Sequence, residues 1–228
     1  DKIYANEEKT QGYRESDPLG GHDPYSASKA ACELLIDSYR KAFFSNEDRP
    51  LLASARAGNV IGGGDWAEDR LIPDLVRSVT ESELLLIRSP HATRPWQHVL
   101  ECLAGYLLLG QRLFEKRQEF AEAWNFGPRS EANRTVGEIL NALQTHWPDL
   151  KWEETTSPQP HEATLLYLNN QKANDKLDWR PIWSLDQALQ ATADWYRIFY
   201  EQGVTSTGEH LATYVSDAHS AGASWVHE

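Results

Sequence analysis

The sequence predicts an α/β fold, and three observations support this prediction. Short apolar segments of strand length alternate with longer segments in which apolar residues recur every three to four positions. Two Ser/Thr-x-x-Glu/Gln patterns, beginning at Thr135 and Ser184, precede periodic segments in the way that helix capping boxes do. The 228 residues contain no internal repeat, and they suffice for one large domain or two small ones with a sizeable core.

The elements up to residue 65 follow from local signals. Residues 2–5 (KIYA) are predicted to end a buried strand. Asp23-Pro24 is predicted to be the N-cap and first turn of a helix over 24–45, because its apolar residues have helical spacing. Residues 51–57 form an apolar run of strand length, and the glycine-rich residues 58–65 are predicted to form a flexible loop that contacts substrate.

Beyond residue 65, shorter strands and helices alternate. The predicted helices cover residues 70–81, 99–114, 135–148 and 184–199. The predicted strands cover residues 84–87, 124–126, 151–155 and 165–168. The last stretch, 202–228, consists mainly of small and polar residues and is predicted to be loosely ordered.

Composition excludes several functional classes. With 22 basic and 34 acidic side chains the net charge is −12, which argues against a general nucleic-acid or membrane-surface binder. No apolar run approaches the ~20 residues that span a bilayer, and no signal peptide is visible. Two cysteines cannot form a disulfide framework, so we expect a cytoplasmic protein. His91, His98 and Cys102 lack the spacing of metal ligands, and we expect no metal.

Tyr25 and Lys29 are the first candidate catalytic pair. Residues four apart lie on one face of a helix, so the ammonium group of Lys29 is expected near the phenol of Tyr25. A neighbouring positive charge favours the phenolate and lowers the pKa of a tyrosine, which makes it a usable base near neutral pH. The spacing alone is equally compatible with a solvated pair on a helix surface.

The sequence around this pair resembles the active-site helix of extended short-chain dehydrogenases/reductases. Further segments in the same order resemble the sugar-nucleotide dehydratases of that family. They are residues 1–6 (DKIYAN), 23–30 (DPYSASKA), 56–66 (RAGNVIGGGDW), 92–99 (ATRPWQHV) and 160–163 (PHEA). The resemblance extends to about residue 200. It implies the C-terminal part of a Rossmann-like doubly wound parallel sheet over 1–65, and over 66–228 mainly a smaller mixed α/β substrate-binding lobe, some of whose segments return to that sheet.

The resemblance also implies a reaction and its residues. It implies a lyase that uses NAD to oxidise C4 of the sugar transiently, eliminates water between C5 and C6, and returns the hydride to C6. Tyr25 and Lys29 would bind the cofactor and remove the 4-hydroxyl proton. Asp1 and Lys2 are the implied acid and base of the elimination. On position alone, a charged chain start is the favoured interpretation of this pair.

The lysine at position 2 indicates which nucleotide-sugar is the substrate. Sugar-nucleotide dehydratases that act on dTDP-glucose carry Asp-Glu at this pair, whereas those that act on CDP-glucose carry a lysine at the second position. The resemblance therefore favours CDP-glucose as substrate. A lysine can act as base only when desolvation or a nearby like charge lowers its pKa, and Lys29 could supply that charge.

Several other residues are candidates for the nucleotide and sugar. Arg94 is the main candidate for the diphosphate, because a guanidinium binds phosphate oxygens bidentately. Arg70 is a second candidate. Asn59 could hydrogen-bond the diphosphate or sugar, although asparagine is also a common turn residue. His161 and Glu162 are candidates for contacting the nucleotide end of the substrate.

Two further readings stay open. The first is a related epimerase, reductase or dehydratase acting on a dTDP-, UDP- or GDP-sugar. The second is a non-catalytic piece that binds a nucleotide-sugar or a partner chain, because the dinucleotide fingerprint G-x-G-x-x-G does not occur and the chain contains no Met. We therefore expect the C-terminal part of a longer enzyme, which alone would bind NAD poorly and would be inactive.

The resemblance further implies a homodimer or a higher homo-oligomer, formed through the helix that carries Tyr25 and Lys29. The apolar residues Leu34, Leu35 and Phe43 on that helix could face either a sheet or a partner chain. The implied product class is a precursor of deoxysugars for cell-surface polysaccharide, such as O-antigen.

Overall fold

The computed structural model describes residues 2–44, 49–155 and 165–226. Within these ranges the α-helices are α1 (Pro24–Phe43), α2 (Leu71–Glu81), α3 (Val99–Phe114), α4 (Val136–His146), α5 (Gln171–Leu177), α6 (Leu185–Gln202) and α7 (Thr207–Ser220). The strands are β1 (Ser54–Ala57), β2 (Asn59–Ile61), β3 (Leu85–Ile87), β4 (Thr93–His98), β5 (Ala123–Phe126), β6 (Asn133–Thr135) and β7 (Trp152–Glu154). Two 3-10 turns cover Gln118–Phe120 and Ser130–Ala132.

The strands pair mainly in parallel. Strand β1 pairs with β5, β2 with β4, and β3 with β7, all parallel, while β6 joins β4 antiparallel. Parallel pairs need long crossover connections, and helices lie in those connections. The predicted α/β class is therefore confirmed.

The chain crosses from one sheet to the next at Gly58. This residue links β1, which pairs with β5, to β2, which pairs with β4. A Cβ atom at Gly58 would lie 2.6 Å from the carbonyl oxygen of Pro95, so a side chain would force the two segments apart. Glycine at this position thus allows the end of β1 to approach the middle of β4 closely.

Two large apolar clusters form the core. One surrounds β5 and joins it to α3 and α5, with Trp124, Phe126 and Trp179 fully buried. The other packs α2, α4 and α6 together, with Leu75, Leu140 and Tyr196 at its centre. Burying each such side chain contributes roughly 1.5–3 kcal/mol. The first cluster places α3 and α5 against β1 and β5, although the division of the chain at residue 65 stays a prediction.

The capped starts of α1, α4 and α6 are those that the sequence predicts. Asp23 caps α1, and its carboxylate accepts a hydrogen bond from the Ser26 N–H at 3.0 Å. Thr135 and Ser184 form complete capping boxes at the starts of α4 and α6, with Glu138 and Gln187 as partners. Each side chain satisfies a backbone N–H that has no partner within its own helix.

Some sequence predictions are wrong. Residues 2–3 form a turn and Tyr4 a single bridge to Leu19, instead of a strand over 2–5. Strands β2, β4 and β6 were not predicted, because β4 and β6 are too polar to show an apolar run and β2 lies between glycines. Residues 202–228 are not uniformly loose, since α7 forms there and buries Tyr214 and Ala218, which lie four residues apart on its inner face. No helix in the described part of the chain is long and apolar enough to cross a membrane.

Candidate active site

A cleft of about 950 Å³ opens where β1 ends and the chain passes to β2. The carboxyl ends of parallel strands are where α/β proteins usually bind ligands. Six of the residues predicted as functional line this cleft: Lys2, Tyr25, Lys29, Asn59, Arg70 and Arg94. Asp1, His161 and Glu162 lie outside the described residues.

Helix α1 presents Tyr25 and Lys29 to the cleft. The first turn is fixed by Pro24 and by Asp23, whose second carboxylate oxygen accepts the Ser26 hydroxyl at 2.6 Å. These hydrogen bonds hold the pKa of Asp23 below its ordinary value, so the cap stays ionised. The Lys29 Nζ atom lies 5.6 Å from the centre of the Tyr25 ring. The predicted pair is thus formed, and Tyr25 is 54% exposed and accessible from the cleft.

Lys2 lies on the same cleft, on the segment that precedes the Tyr4–Leu19 bridge. Its side chain is exposed, whereas the neighbouring Ile3 and Tyr4 are buried. The buried pair anchors the segment, and Lys2 is left free to reach a ligand in the cleft.

Two predicted arginines approach the cleft differently. Arg94 lies on β4 and is only 5% exposed, and its Nη1 donates to the Thr93 carbonyl at 2.9 Å. Arg70 is exposed and occupies the N-cap position of α2. Asn59 begins β2, directly after Gly58. A buried guanidinium and an exposed one therefore line the same wall.

Other residues of this cleft are not among those predicted from the sequence. Arg88 and Ser89 line it directly after β3 ends, and Arg88 is exposed. Their place at the carboxyl end of a predicted strand is the signal that could have identified them. Arg56 and Glu33 also line the cleft, and the Arg56 Nη2 donates to the Glu33 carboxylate at 2.7 Å.

The glycine-rich loop after β2 is packed against α6. A Cβ atom at Gly63 would lie 1.9 Å from Cγ of Trp195, so the loop lies directly on this indole. The Tyr196 hydroxyl binds the backbone of Asp65, and Trp66 meets the Trp195 ring edge-on at 5.6 Å between centroids. A flexible loop was predicted here, and the contacts with α6 correct that prediction.

His98 ends β4 and is buried beside Trp183, with 4.8 Å between ring centroids. Its Nδ1 accepts the Leu100 N–H at 3.3 Å, which caps α3. Burial, with a smaller contribution from His210, lowers the pKa of His98 to about 4, so the ring is neutral at physiological pH. Among the described residues, no group of three or more His, Cys, Asp or Glu side chains is arranged to hold a metal.

The mostly parallel strands and the Tyr-x-x-x-Lys helix beside a cleft at the strand ends define a Rossmann-like α/β protein. A family model described as GDP-mannose 4,6 dehydratase matches residues 1–192. The chain belongs to this family, and the resemblance to sugar-nucleotide dehydratases is confirmed.

Curated relatives support the same assignment. CDP-glucose 4,6-dehydratase of Salmonella typhimurium is 47% identical over 223 residues, which cover 95% of this chain and 62% of that protein. A dTDP-glucose 4,6-dehydratase of Xanthomonas campestris is 26% identical over 212 residues, covering 86% of this chain and 55% of that protein. The chain thus spans less than two thirds of the length of both relatives.

Solved structures share the fold. The dTDP-glucose 4,6-dehydratase of Bacillus anthracis in complex with NAD has a TM-score of 0.69 at 24% identity, with 88% of this chain and 60% of that chain covered. The UDP-glucuronic acid 4-epimerase of Bacillus cereus, in complex with UDP-glucuronic acid and NAD, has a TM-score of 0.72 at 22% identity, covering 87% and 60%. At these identities the likeness shows the fold alone.

Proposed function

We propose that this chain carries the substrate site and the Tyr-Lys pair of an NAD-dependent lyase. The lyase converts CDP-D-glucose to CDP-4-dehydro-6-deoxy-D-glucose and water. The observation that carries the proposal is the convergence of Lys2, Tyr25, Lys29, Asn59, Arg70 and Arg94 on one cleft. The 47% identity to the CDP-glucose 4,6-dehydratase of Salmonella typhimurium supports the choice of CDP-glucose over other nucleotide-sugars.

Tyr25 acts on the 4-hydroxyl of the glucose ring. Its phenol is exposed to the cleft, and the Lys29 Nζ lies 5.6 Å from the centre of the ring. The phenolate accepts the hydroxyl proton as C4 becomes a ketone. That ketone makes the C5 proton acidic, which prepares the elimination.

NAD supplies the acceptor and later the donor of the hydride when it is bound. Tyr25 and Lys29 fit its ribose and nicotinamide end, because a lysine Nζ beside a tyrosine can donate to ribose hydroxyls. The residues for the adenine and pyrophosphate end are not identified, since this sequence holds no G-x-G-x-x-G fingerprint.

Lys2 removes the C5 proton, and Asp1 protonates the departing 6-hydroxyl. Lys2 lines the same cleft as Tyr25, which supports its role as a second proton acceptor. The proton that Lys2 takes and the one that Asp1 gives balance the loss of water across C5 and C6. His161 and Glu162 are proposed to contact the nucleotide end.

The nucleotide diphosphate is held by guanidinium groups. Arg94 supplies a buried guanidinium on β4, and Arg70 adds a second positive charge from the start of α2. Arg88 is a third charge on the same cleft. Asn59 hydrogen-bonds the diphosphate or the sugar from the start of β2.

The test is conversion of four nucleotide sugars by the longest natural chain that contains residues 1–228. CDP-, dTDP-, UDP- and GDP-glucose are each incubated with the protein and NAD, and the product is identified by NMR. We expect the 4-keto-6-deoxy sugar from CDP-glucose, at least tenfold faster than from the others. Faster conversion of another nucleotide sugar would favour the related dehydratase or epimerase reading.

The non-catalytic reading has its own test. Calorimetric titration of residues 1–228 with CDP and with NAD separates binding of the nucleotide-sugar from binding of the cofactor. We expect CDP to bind and NAD to bind weakly, since the fingerprint for its pyrophosphate does not occur in this sequence. Turnover by residues 1–228 alone would exclude the non-catalytic reading.

We also propose that the protein forms a homodimer, or a higher homo-oligomer, through α1. Leu34, Leu35 and Phe43 on its outer face are each about 60% exposed, which is a large apolar surface for a single chain. A cytoplasmic location is proposed on the free thiols of Cys32 and Cys102. The proposed product serves deoxysugar synthesis for cell-surface polysaccharide such as O-antigen.

A further inference from the structure

Arg56 connects two segments that reach the candidate active site from different directions. It lies on β1, is 7% exposed, and its Nη2 donates to the Glu33 carboxylate of α1 at 2.7 Å. Its Nη1 donates to the Tyr4 hydroxyl at 2.8 Å and to the Glu15 carbonyl at 3.3 Å. One guanidinium thus holds both α1 and the segment that follows Lys2.

Through Glu33, this connection fixes the orientation of α1, the helix that carries Tyr25 and Lys29. Glu33 lies four residues after Lys29 and eight after Tyr25, so all three occupy one face of α1. Its carboxylate also accepts the Ser54 hydroxyl at 2.8 Å. Two donors from β1 therefore fix the rotation of α1 about its axis, and with it the direction in which Tyr25 and Lys29 point.

Through Tyr4, the same connection holds the segment that carries Lys2 in place. Tyr4 is 2% exposed, and its hydroxyl donates to the Asn125 side chain at 2.7 Å while accepting from Arg56. Burial raises the pKa of Tyr4 to about 12, although the charge of Arg56 opposes this rise. The phenol therefore stays protonated and keeps both bonds at physiological pH.

Arg56 keeps its charge although it is buried. Burial alone would lower its pKa, but the Glu33 carboxylate and the Tyr4 oxygen outweigh this and raise the pKa of Arg56 above its ordinary value. A buried ion pair with further hydrogen bonds is strongly destabilised when one partner is removed. Its two Nη groups point to separate partners, which a lysine ammonium could not serve with the same planar geometry.

We propose that Arg56 is a positioning residue, which fixes the Tyr25–Lys29 pair and Lys2 relative to each other. The inference rests on the proposed function, in which both groups act on neighbouring carbons of one sugar. Proton transfer requires the base within hydrogen-bond distance of its proton, and a displacement of about 1 Å can lower the rate roughly a hundredfold. Loss of Arg56 would then slow the chemistry more than it weakens substrate binding.

The test compares Arg56→Lys and Tyr4→Phe with a matched control, Arg40→Met. Arg40 also joins α1 to the region before β1, through its Nε and the Leu52 carbonyl at 2.8 Å, but it touches neither Glu33 nor Tyr4. Two quantities are measured. They are kcat and KM for CDP-glucose, and the hydrogen-exchange rates of the Ala5 and Gly20 amides, which bond to Pro18 and Ile3 beside Lys2.

We expect Arg56→Lys to lower kcat about a hundredfold with KM within threefold of the wild type, and to speed the exchange of both amides at least tenfold. Tyr4→Phe should change both quantities in the same direction, and Arg40→Met neither. Unchanged amide exchange in Arg56→Lys, or an unchanged kcat, would overturn the inference. A wild-type protein that does not convert CDP-glucose would instead refute the proposed function, while amide exchange would still decide whether Arg56 holds the segment.

Discussion

The Tyr196 hydroxyl makes two hydrogen bonds with the backbone of Asp65, 131 residues earlier in the chain. It accepts from the Asp65 N–H at 3.0 Å and donates to the Asp65 carbonyl at 2.7 Å. The preceding residue, Trp195, lies under Gly63. Helix α6 thus shapes the loop between β2 and α2, and this loop supplies Asp65, Asp69 and Arg70 to the cleft.

The first prediction concerns Gly63. A Cβ at this position would overlap Trp195, so we expect Gly63→Ala to destabilise the protein by about 1–3 kcal/mol and to weaken CDP binding. The matched control is Gly110→Ala on α3, where no atom lies within 4 Å of the added Cβ. That change should stabilise the protein by about 0.5–1 kcal/mol, because alanine favours a helix interior. Urea unfolding of both variants measures this, and equal stabilities would contradict the packing argument.

The second prediction tests Tyr25 as the proton acceptor. Tyr25→Phe keeps the ring beside Lys29 but removes the phenol, and we expect kcat for CDP-glucose to fall about 10²–10⁴-fold. Affinity for CDP should change less than threefold. Tyr39→Phe is the control, since Tyr39 lies on the same helix and is 47% exposed but does not line the cleft. A Tyr25→Phe enzyme with more than a tenth of wild-type kcat would rule out this role.

The third prediction separates Lys2 from Tyr25. If Lys2 is the base at C5, Lys2→Ala should abolish the exchange of the C5 proton with deuterated solvent. The Lys2→Ala variant should still oxidise C4, which is measured as the formation of NADH in a single turnover. Lys41→Ala on the far end of α1, where Lys41 pairs with Asp37 at 2.6 Å, is the control and should leave both signals unchanged. Normal C5 exchange in Lys2→Ala would assign the base to another residue.

The sequence predicts those parts of the fold that local physics determines. Pro24 and the cap residue Asp23 start α1, and the capping boxes at Thr135 and Ser184 start α4 and α6. These signals act within one turn of the chain and need no tertiary context. The alternation of such helices with apolar runs was enough for the α/β class.

The parts that could not be predicted depend on contacts between distant residues. Strand β4 reads Thr-Arg-Pro-Trp-Gln-His and has no apolar pattern, but it is fixed between β2 and β6. Helix α7 looked loosely ordered, yet its Tyr214 donates to the buried carboxylate of Glu101 at 2.8 Å. In the candidate site, Tyr25 and Lys29 were found by spacing, whereas Arg56 became visible only through its partners Glu33 and Tyr4.

The fourth prediction concerns phosphate binding by Arg94. Arg94→Lys keeps the charge but loses the bidentate geometry, so we expect the Kd for CDP to rise about tenfold or more. Cytidine, which has no phosphate, should bind the variant and the wild type equally. Arg117→Lys, at a surface pair with Glu119, is the control. If cytidine and CDP weaken together, Arg94 supports the fold of the cleft and does not bind the phosphates.

The fifth prediction is a pH dependence of stability. Because burial lowers the pKa of His98 to about 4, the unfolded chain binds a proton between pH 4 and its ordinary pKa of 6.5, and the folded chain does not. The free energy of unfolding therefore rises with pH across this window. The total contribution of His98 is on the order of 3 kcal/mol. His210 acts in the same direction, because burial also lowers its pKa.

His98→Asn isolates this effect, because asparagine keeps a side-chain acceptor for the Leu100 N–H at the start of α3. Glu101, whose pKa burial raises, has the opposite sign: its contribution falls as pH rises above its ordinary value. Glu101 and His210 are common to both proteins, so the difference in unfolding free energy between wild type and variant reports His98 and its smaller coupling to His210. We expect that difference to shift in favour of the variant as pH falls from 6.5 to 4.5, measured by urea unfolding. A difference independent of pH would show that the pKa of His98 is the same in the folded and the unfolded protein.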